Sequence, residues 1–240
     1  MKKVIVLALT ASLGGACDNA TASLSCDEDP TQPTCVVREV GAAYVTTSGL
    51  VNLISLDGTR WVSWNPVSGA FGPGADIQTL EGGGLPLGNV GAAGTTKDDL
   101  DTFMFDTGGR DYTVFEHGQS GYDEVGTFGA DTGFGDPDLG DVGAICRAAN
   151  TERLFFFNRA GTSMQLWDYR SRTWSPEASF ADSFGGGGAP IANVGAAVWV
   201  NGLYYLFDTT GKTWATYLGN LQFEGPFDIS ELGDGTLNFR

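Results

Sequence analysis

The sequence predicts an all-β chain folded as a four-bladed β-propeller with about four short antiparallel strands per blade. Three observations carry this. Gly makes up 36 of 240 residues, about twice its usual share. Short runs of aromatic and β-branched residues alternate with Gly-rich turns, and no long stretch has helical periodicity. The word VGA recurs at 40, 90, 142 and 194, as VGAA in three copies and VGAI in one. A period near 50 residues in strand-like sequence signals a propeller or array rather than a helical solenoid.

Cutting before each VGA gives units 40–89, 90–141, 142–193 and 194–240. Each unit opens on small residues and continues with an apolar run: Val51 to Ile54, Thr102 to Phe105, Leu154 to Phe157, Tyr204 to Phe207. Each run ends at a turn with an Asp or Asn and a Gly: Asp57 and Gly58, Asp106 and Gly109, Asn158 and Gly161, Asp208 and Gly211. Asp and Asn suit turns because their side chains bond the nearby backbone. A spaced pair follows: Trp61 and Trp64, Tyr112 and Phe115, Met164 and Trp167, Trp214 and Tyr217. A further aromatic (Phe71, Tyr122, Trp174, Phe223) marks an expected outer strand. One such unit cannot cover both faces of its sheet, whereas four packed around an axis bury them all. The small residues of VGAA are then expected where inner strands crowd at the axis, with the aromatics further out.

The aligned repeats resemble the hemopexin-like four-bladed propeller family over about residues 40–240. The matching features are Gly195-Ala196-Ala197, the run Tyr204 to Phe207, Gly211 and the pair Trp214 and Tyr217, with partial copies in the other units. Two features depart from that family. Its opening Asp is Gly here in every unit, and its disulfide between first and last blades has no counterpart, since no Cys follows Cys146. Ring closure is therefore expected from packing and strand pairing. The resemblance implies that main-chain carbonyls of Gly41, Gly91, Gly143 and Gly195 ring an ion such as Ca²⁺ in the central tunnel. Kelch-type propellers are the nearest rival, on LWDYRSRTW in the third unit, but their paired glycines do not recur.

The first residues read as an export signal. MKKVIVLALTASLGGAC has Lys2 and Lys3, then an apolar run from Val4 to Leu9, then small residues to Ala16. The run is too short to span a bilayer. Two processing routes fit. Gly14 and Ala16 suit a standard signal peptidase cutting before Cys17. LGGAC resembles a bacterial lipobox, with Leu13 one position further from the Cys than usual and Cys17 as the lipidated N-terminus. Residues 1–16 are thus assigned to a signal peptide. Residues 17–38 form a polar tether in which Cys26 and Cys35 are expected to pair in an oxidising compartment. Cys146 is expected to be buried and unpaired. The expected location is periplasmic or cell-surface, with a lipid anchor in the membrane.

The formal net charge is −16, and −18 once a leader carrying two lysines is removed. That balance argues against nucleic acid, which needs a basic patch to displace counterions. A single histidine, His117, excludes a two-histidine haem site and a multi-histidine zinc site within one chain. It is expected in an exposed turn. GQSGY at 118–122 lies between short strands rather than between strand and helix, so it is no nucleophile elbow. The Gly runs at 82–84 and 185–188 lack the following Lys and helix of a phosphate cradle. With no catalytic constellation in the sequence, the resemblance implies a protein- or glycan-binding or accessory module. The alternative is an extracytoplasmic hydrolase with carboxylates on one propeller face. Convergent carboxylates in a pocket would favour the hydrolase, and an exposed apolar or aromatic patch would favour the module.

Overall fold

The computed structural model describes residues 38–97, 101–119, 121–130, 133–135, 137–184, 188–219 and 222–233. The leader, Cys17 and the Cys26–Cys35 pair lie outside the described residues.

Each repeat supplies one antiparallel sheet. The first comprises β1 (Val40–Val45), β2 (Val51–Ser55), β3 (Arg60–Trp64) and β4 (Ala75–Asp76). The second comprises β5 (Ala92–Thr95), β6 (Thr102–Phe105), β7 (Asp111–Glu116), β8 (Gly121–Tyr122) and β9 (Gly126–Thr127). The third comprises β10 (Val142–Arg147), β11 (Arg153–Asn158), β12 (Ser163–Asp168), β13 (Thr173–Trp174) and β14 (Ala178–Ser179), followed by the helix α1 (Phe180–Phe184). The fourth comprises β15 (Ala196–Val200), β16 (Leu203–Phe207), β17 (Thr213–Gly219) and β18 (Gln222–Asp228). The inner strands β1, β5, β10 and β15 contact one another in a closed cycle around the axis.

Four apolar clusters fill the four gaps between neighbouring blades, one per gap. The spaced pairs build them because residues three apart on a strand point to opposite faces. Trp61 faces the second blade and Trp64 the fourth. Tyr112, Met164 and Trp214 likewise face the following blade, while Phe115, Trp167 and Tyr217 face the preceding one. The outer aromatics Phe71, Tyr122, Trp174 and Phe223 join the same clusters.

The expected single outer strand is corrected in three blades. In the second and third it is split, β8 and β9 both pairing with β7, and β13 and β14 both with β12. In the first, β4 is joined only by a Trp64–Phe71 bridge. Buried polar residues of the third strands bond the chain at the breaks: the Thr113 hydroxyl donates to the Asp123 carbonyl at 2.8 Å, and Gln165 to the Ser175 carbonyl at 3.0 Å. Among the described residues only the fourth blade has a continuous outer strand.

Ring closure takes a different form from the expected strand pairing, since every sheet is contiguous in sequence. The Gly of each turn after the second strand adopts positive φ, and its carbonyl accepts from the Val that opens the next blade. Val90 donates to Gly58 at 3.0 Å, Val142 to Gly109 at 2.9 Å, and Val194 to Gly161 at 3.0 Å. The last bond closes the circle: Val40 donates to Gly211 at 3.0 Å. An exposed Lys212–Glu39 ion pair at 3.1 Å lies beside it, and the first-to-fourth cluster packs beneath.

Candidate functional site at the axial mouth

The crowding expected of VGAA divides into two separate contacts. Ala42 and Ala43 enter the clusters on opposite sides of the first blade, and the corresponding residues of the other blades do the same. These positions line the narrow end of each wedge. The glycines meet their own blade instead. A Cβ on Gly41, Gly91, Gly143 or Gly195 would lie 2.6–2.7 Å from the Cα of Leu56, Thr107, Arg159 or Thr209. In the first and third blades this Gly is the extra residue of a β-bulge. Axial crowding requires Gly at a fifth position, Gly94, whose Cβ would come 2.5 Å from Ile145 of the next blade. Ile145 is the one large residue replacing the second Ala of the word.

The glycines expected to carry an ion therefore sit at the starting ends of the inner strands. An axial cleft opens at the opposite ends, and none of the four lines it. Among the described residues no group of three or more His, Cys, Asp or Glu side chains is placed to hold a metal. Ca²⁺ takes six to eight oxygens, so four main-chain carbonyls would leave the remaining positions to water.

The cleft lies where the repeats stop agreeing. After the shared word come Tyr44, Gly94, Cys146 and Val198, then Val45, Thr95, Arg147 and Trp199, one from each blade. Thr95 ties the second blade to the first, its hydroxyl donating to the Val45 carbonyl at 2.9 Å. Arg147 reaches across to the fourth blade, where its guanidinium carbon stands 4.8 Å from the centre of the Trp199 ring. It also reaches to the second, with Nη1 donating to the Thr96 carbonyl at 3.4 Å. Its Nε–H is buried without an acceptor. Burial pulls the guanidinium below its ordinary range, opposed by the nearby Glu152 carboxylate and then by Tyr204. Cys146 is buried and unpaired, its thiol pushed up by burial, which makes it a poor nucleophile.

Beside the cleft, Tyr44 is fully buried and donates to Glu81 at 2.5 Å while accepting from Asn52 at 2.7 Å. Burial, then the Glu81 charge, pushes its phenol well above the ordinary value. Glu81 enters this gap between the first and second blades from the 3₁₀ turn Ile77–Gly82, with φ of 49°.

His117 is half-buried rather than exposed, packed edge-on to Phe115 at 4.8 Å with a buried Nε2. The carboxylates with displaced titration lie in separate turns of separate blades. For Asp57, burial acts upward, but bonds from Ser55 and Thr59 outweigh it and lower its pKa. Bonds from Ser171 and Ser230 lower Asp168 and Asp228.

No family model and no curated protein matches the sequence. Solved structures match the fold. The hemopexin fold protein CP4 from cow pea superposes with a TM-score of 0.61 at 14% identity, covering 79% of this chain and 93% of that one. A plant lectin with two metal binding sites from Cicer arietinum gives 0.61 at 13%, covering 84% and 99%. A plant albumin from the same species, showing hemagglutination, gives 0.60 at 12%, with the same coverage.

Proposed function

The fold is the hemopexin-like four-bladed propeller, and from that premise we propose that the chain is an exported binding module whose axial mouth docks a protein or glycan partner. One observation carries the reading. The residues that build the ring repeat from blade to blade, whereas those at the mouth differ in all four. Repetition serves packing, and packing alone gives no reason for four different chemistries around one opening. A cation over an aromatic ring in a concave, partly apolar setting suits recognition. The similar folds described as a lectin and as an albumin showing hemagglutination support a binding role. The displaced carboxylates serve separate turns and give the hydrolase alternative no shared pocket.

The proposal includes export by the leader and anchoring through a lipidated Cys17, with Cys26 and Cys35 bridged in the tether. Cys17→Ser is then expected to release the protein from the membrane fraction, and unchanged fractionation contradicts the anchor. The binding role is tested by capture from native membranes followed by mass spectrometry. Arg147→Glu or Trp199→Ala should abolish capture of a partner that wild type and Leu56→Ser both retain. Equal capture by all four proteins contradicts the mouth as the site.

A further inference from the structure

The charge of this acidic chain is unevenly shared. The second repeat carries twelve acids and two bases, and the third carries five arginines and four acids. Four of those arginines lie at one end of the third blade, the end where the axial cleft opens. Arg147 closes β10, Arg153 opens β11, and Arg170 and Arg172 sit in the turn from β12 to β13. The two turns are neighbours: Arg153 is in register with Asp168, and the Tyr169 N–H donates to the Glu152 carbonyl at 3.0 Å. Arg153, Arg170 and Arg172 are exposed, and Arg147 is half-buried. Asp168 pairs with Arg153 at 3.2 Å, and Glu152 lies near Arg147. Those two acids leave the end with a surplus of positive charge. On the side of the second blade, Asp101 accepts from the Tyr169 hydroxyl at 2.9 Å and marks the start of the acidic region.

The fourth blade meets this end with aromatic rings instead of charges. Trp199, Tyr204, Tyr217 and Phe223 are in register across its four strands and face the third blade. All but Tyr204 keep part of their surface in solvent. The row starts beside Arg147, whose guanidinium carbon stands 4.8 Å from the centre of the Trp199 ring. Cations and rings together fit one class of ligand. A guanidinium fork takes a carboxylate through parallel N–H donors. Trp and Tyr offer an apolar ring with a polar edge, a match for a sugar ring with its apolar face and hydroxyl rim. A nucleic acid or an acidic peptide brings a run of charges against the acidic second blade, whereas a glycan with an isolated carboxylate brings one. We infer that this end of the third and fourth blades binds an acidic glycan, the exposed arginines taking its carboxylate and the half-exposed rings of Trp199 and Tyr217 its neutral sugars. This rests on the binding-module reading and names the chemistry of its ligand.

The test is calorimetric titration of the full chain. The probes are 3′-sialyllactose and xylotriose carrying one methylglucuronate, each beside its neutral parent, lactose or xylotriose, with tetraglutamate as the acidic peptide. At least one acidic glycan is expected to bind at least tenfold tighter than its parent, and tetraglutamate no tighter than the parents. Arg170→Gln combined with Arg172→Gln should weaken that binding at least tenfold with an unchanged melting temperature. Lys212→Gln, which removes a cation beside Glu39 at the opposite end, should leave it unchanged. The wild-type titrations stand on their own if the double variant folds poorly. Acidic glycans binding no better than their parents overturn the inference. Tetraglutamate binding as tightly as the glycans overturns it in favour of an acidic peptide, and equal weakening by Lys212→Gln shows charge without a site. If the glycans fail while mouth-dependent membrane capture persists, the ligand class is wrong and the binding role stands. If mouth-dependent capture is lost as well, both fall.

Discussion

Gly94 and Ile145 show how tightly the axis is filled. Ile145 occupies the space that a side chain at position 94 would need, so the two residues form one packing unit across the second and third blades. Gly94→Ala is expected to cost about 1–3 kcal/mol through overpacking, and Ile145→Ala about 2–5 kcal/mol through the cavity it leaves. Together they should recover about 1 kcal/mol or more relative to the sum, measured as a double-mutant cycle by denaturant unfolding. Strict additivity would mean that the two side chains do not compete for space. Gly195 differs, because the atoms it would strike are the backbone of Thr209 and Asp208. Gly195→Val should therefore cost at least about 3 kcal/mol, with no side-chain partner able to rescue it.

At the scale of elements, the turns after the second strands combine local and global roles. Asp208 accepts from the backbone N–H groups of Lys212 and Thr213, at 3.1 and 3.2 Å, and so shapes the loop that presents Gly211 to Val40. Asp106 and Asn158 do the same in their blades. Asp208→Ala is expected to lower stability by about 1 kcal/mol, read as a shift in the urea midpoint at constant slope. No shift would show that the turn holds without its side chain. These turns were legible in the sequence because the Asp or Asn and the Gly keep a fixed spacing. The first blade departs from it: Ser55 occupies the equivalent position and shares the role with Asp57, each accepting from the following loop. Inner strands and spaced pairs were legible for the same reason, since period two and an offset of three dictate which face each side chain takes. The broken outer strands were not, because two-residue fragments held by Thr113 and Gln165 leave no periodic trace. The mouth was not legible for the opposite reason. Arg147 and Trp199 lie where the repeat ends and carry no periodic signal.

Across the whole molecule, the four clusters hold aromatic groups in their neutral forms. Tyr205 is pushed up to about 12 by burial, and burial likewise raises Tyr44, Tyr122, Tyr204 and Cys146. A raised folded pKa contributes nothing against stability below the unfolded value, near 10 for a phenol. As pH climbs past that value the unfolded chain ionises while the folded chain keeps its protons, so stability falls. The melting temperature is expected to drop between about pH 10 and 12, and a flat profile there would contradict burial of these phenols. The acid side has the reverse sign. Asp57, Asp168 and Asp228 are held below the ordinary carboxylate range by their turns. Their stabilisation is complete above about pH 4 and is lost as pH falls through the folded values.

Partners are expected to meet this disc at its axial mouth. A photo-reactive benzoylphenylalanine placed at Trp199, in the mouth, or at Leu56, in the turn beside Gly41 at the far end of the first blade, tests it on native membranes. A discrete cross-linked product is expected from position 199 that competing unlabelled protein removes, and none from position 56. A competable product from position 56 with none from position 199 would contradict it.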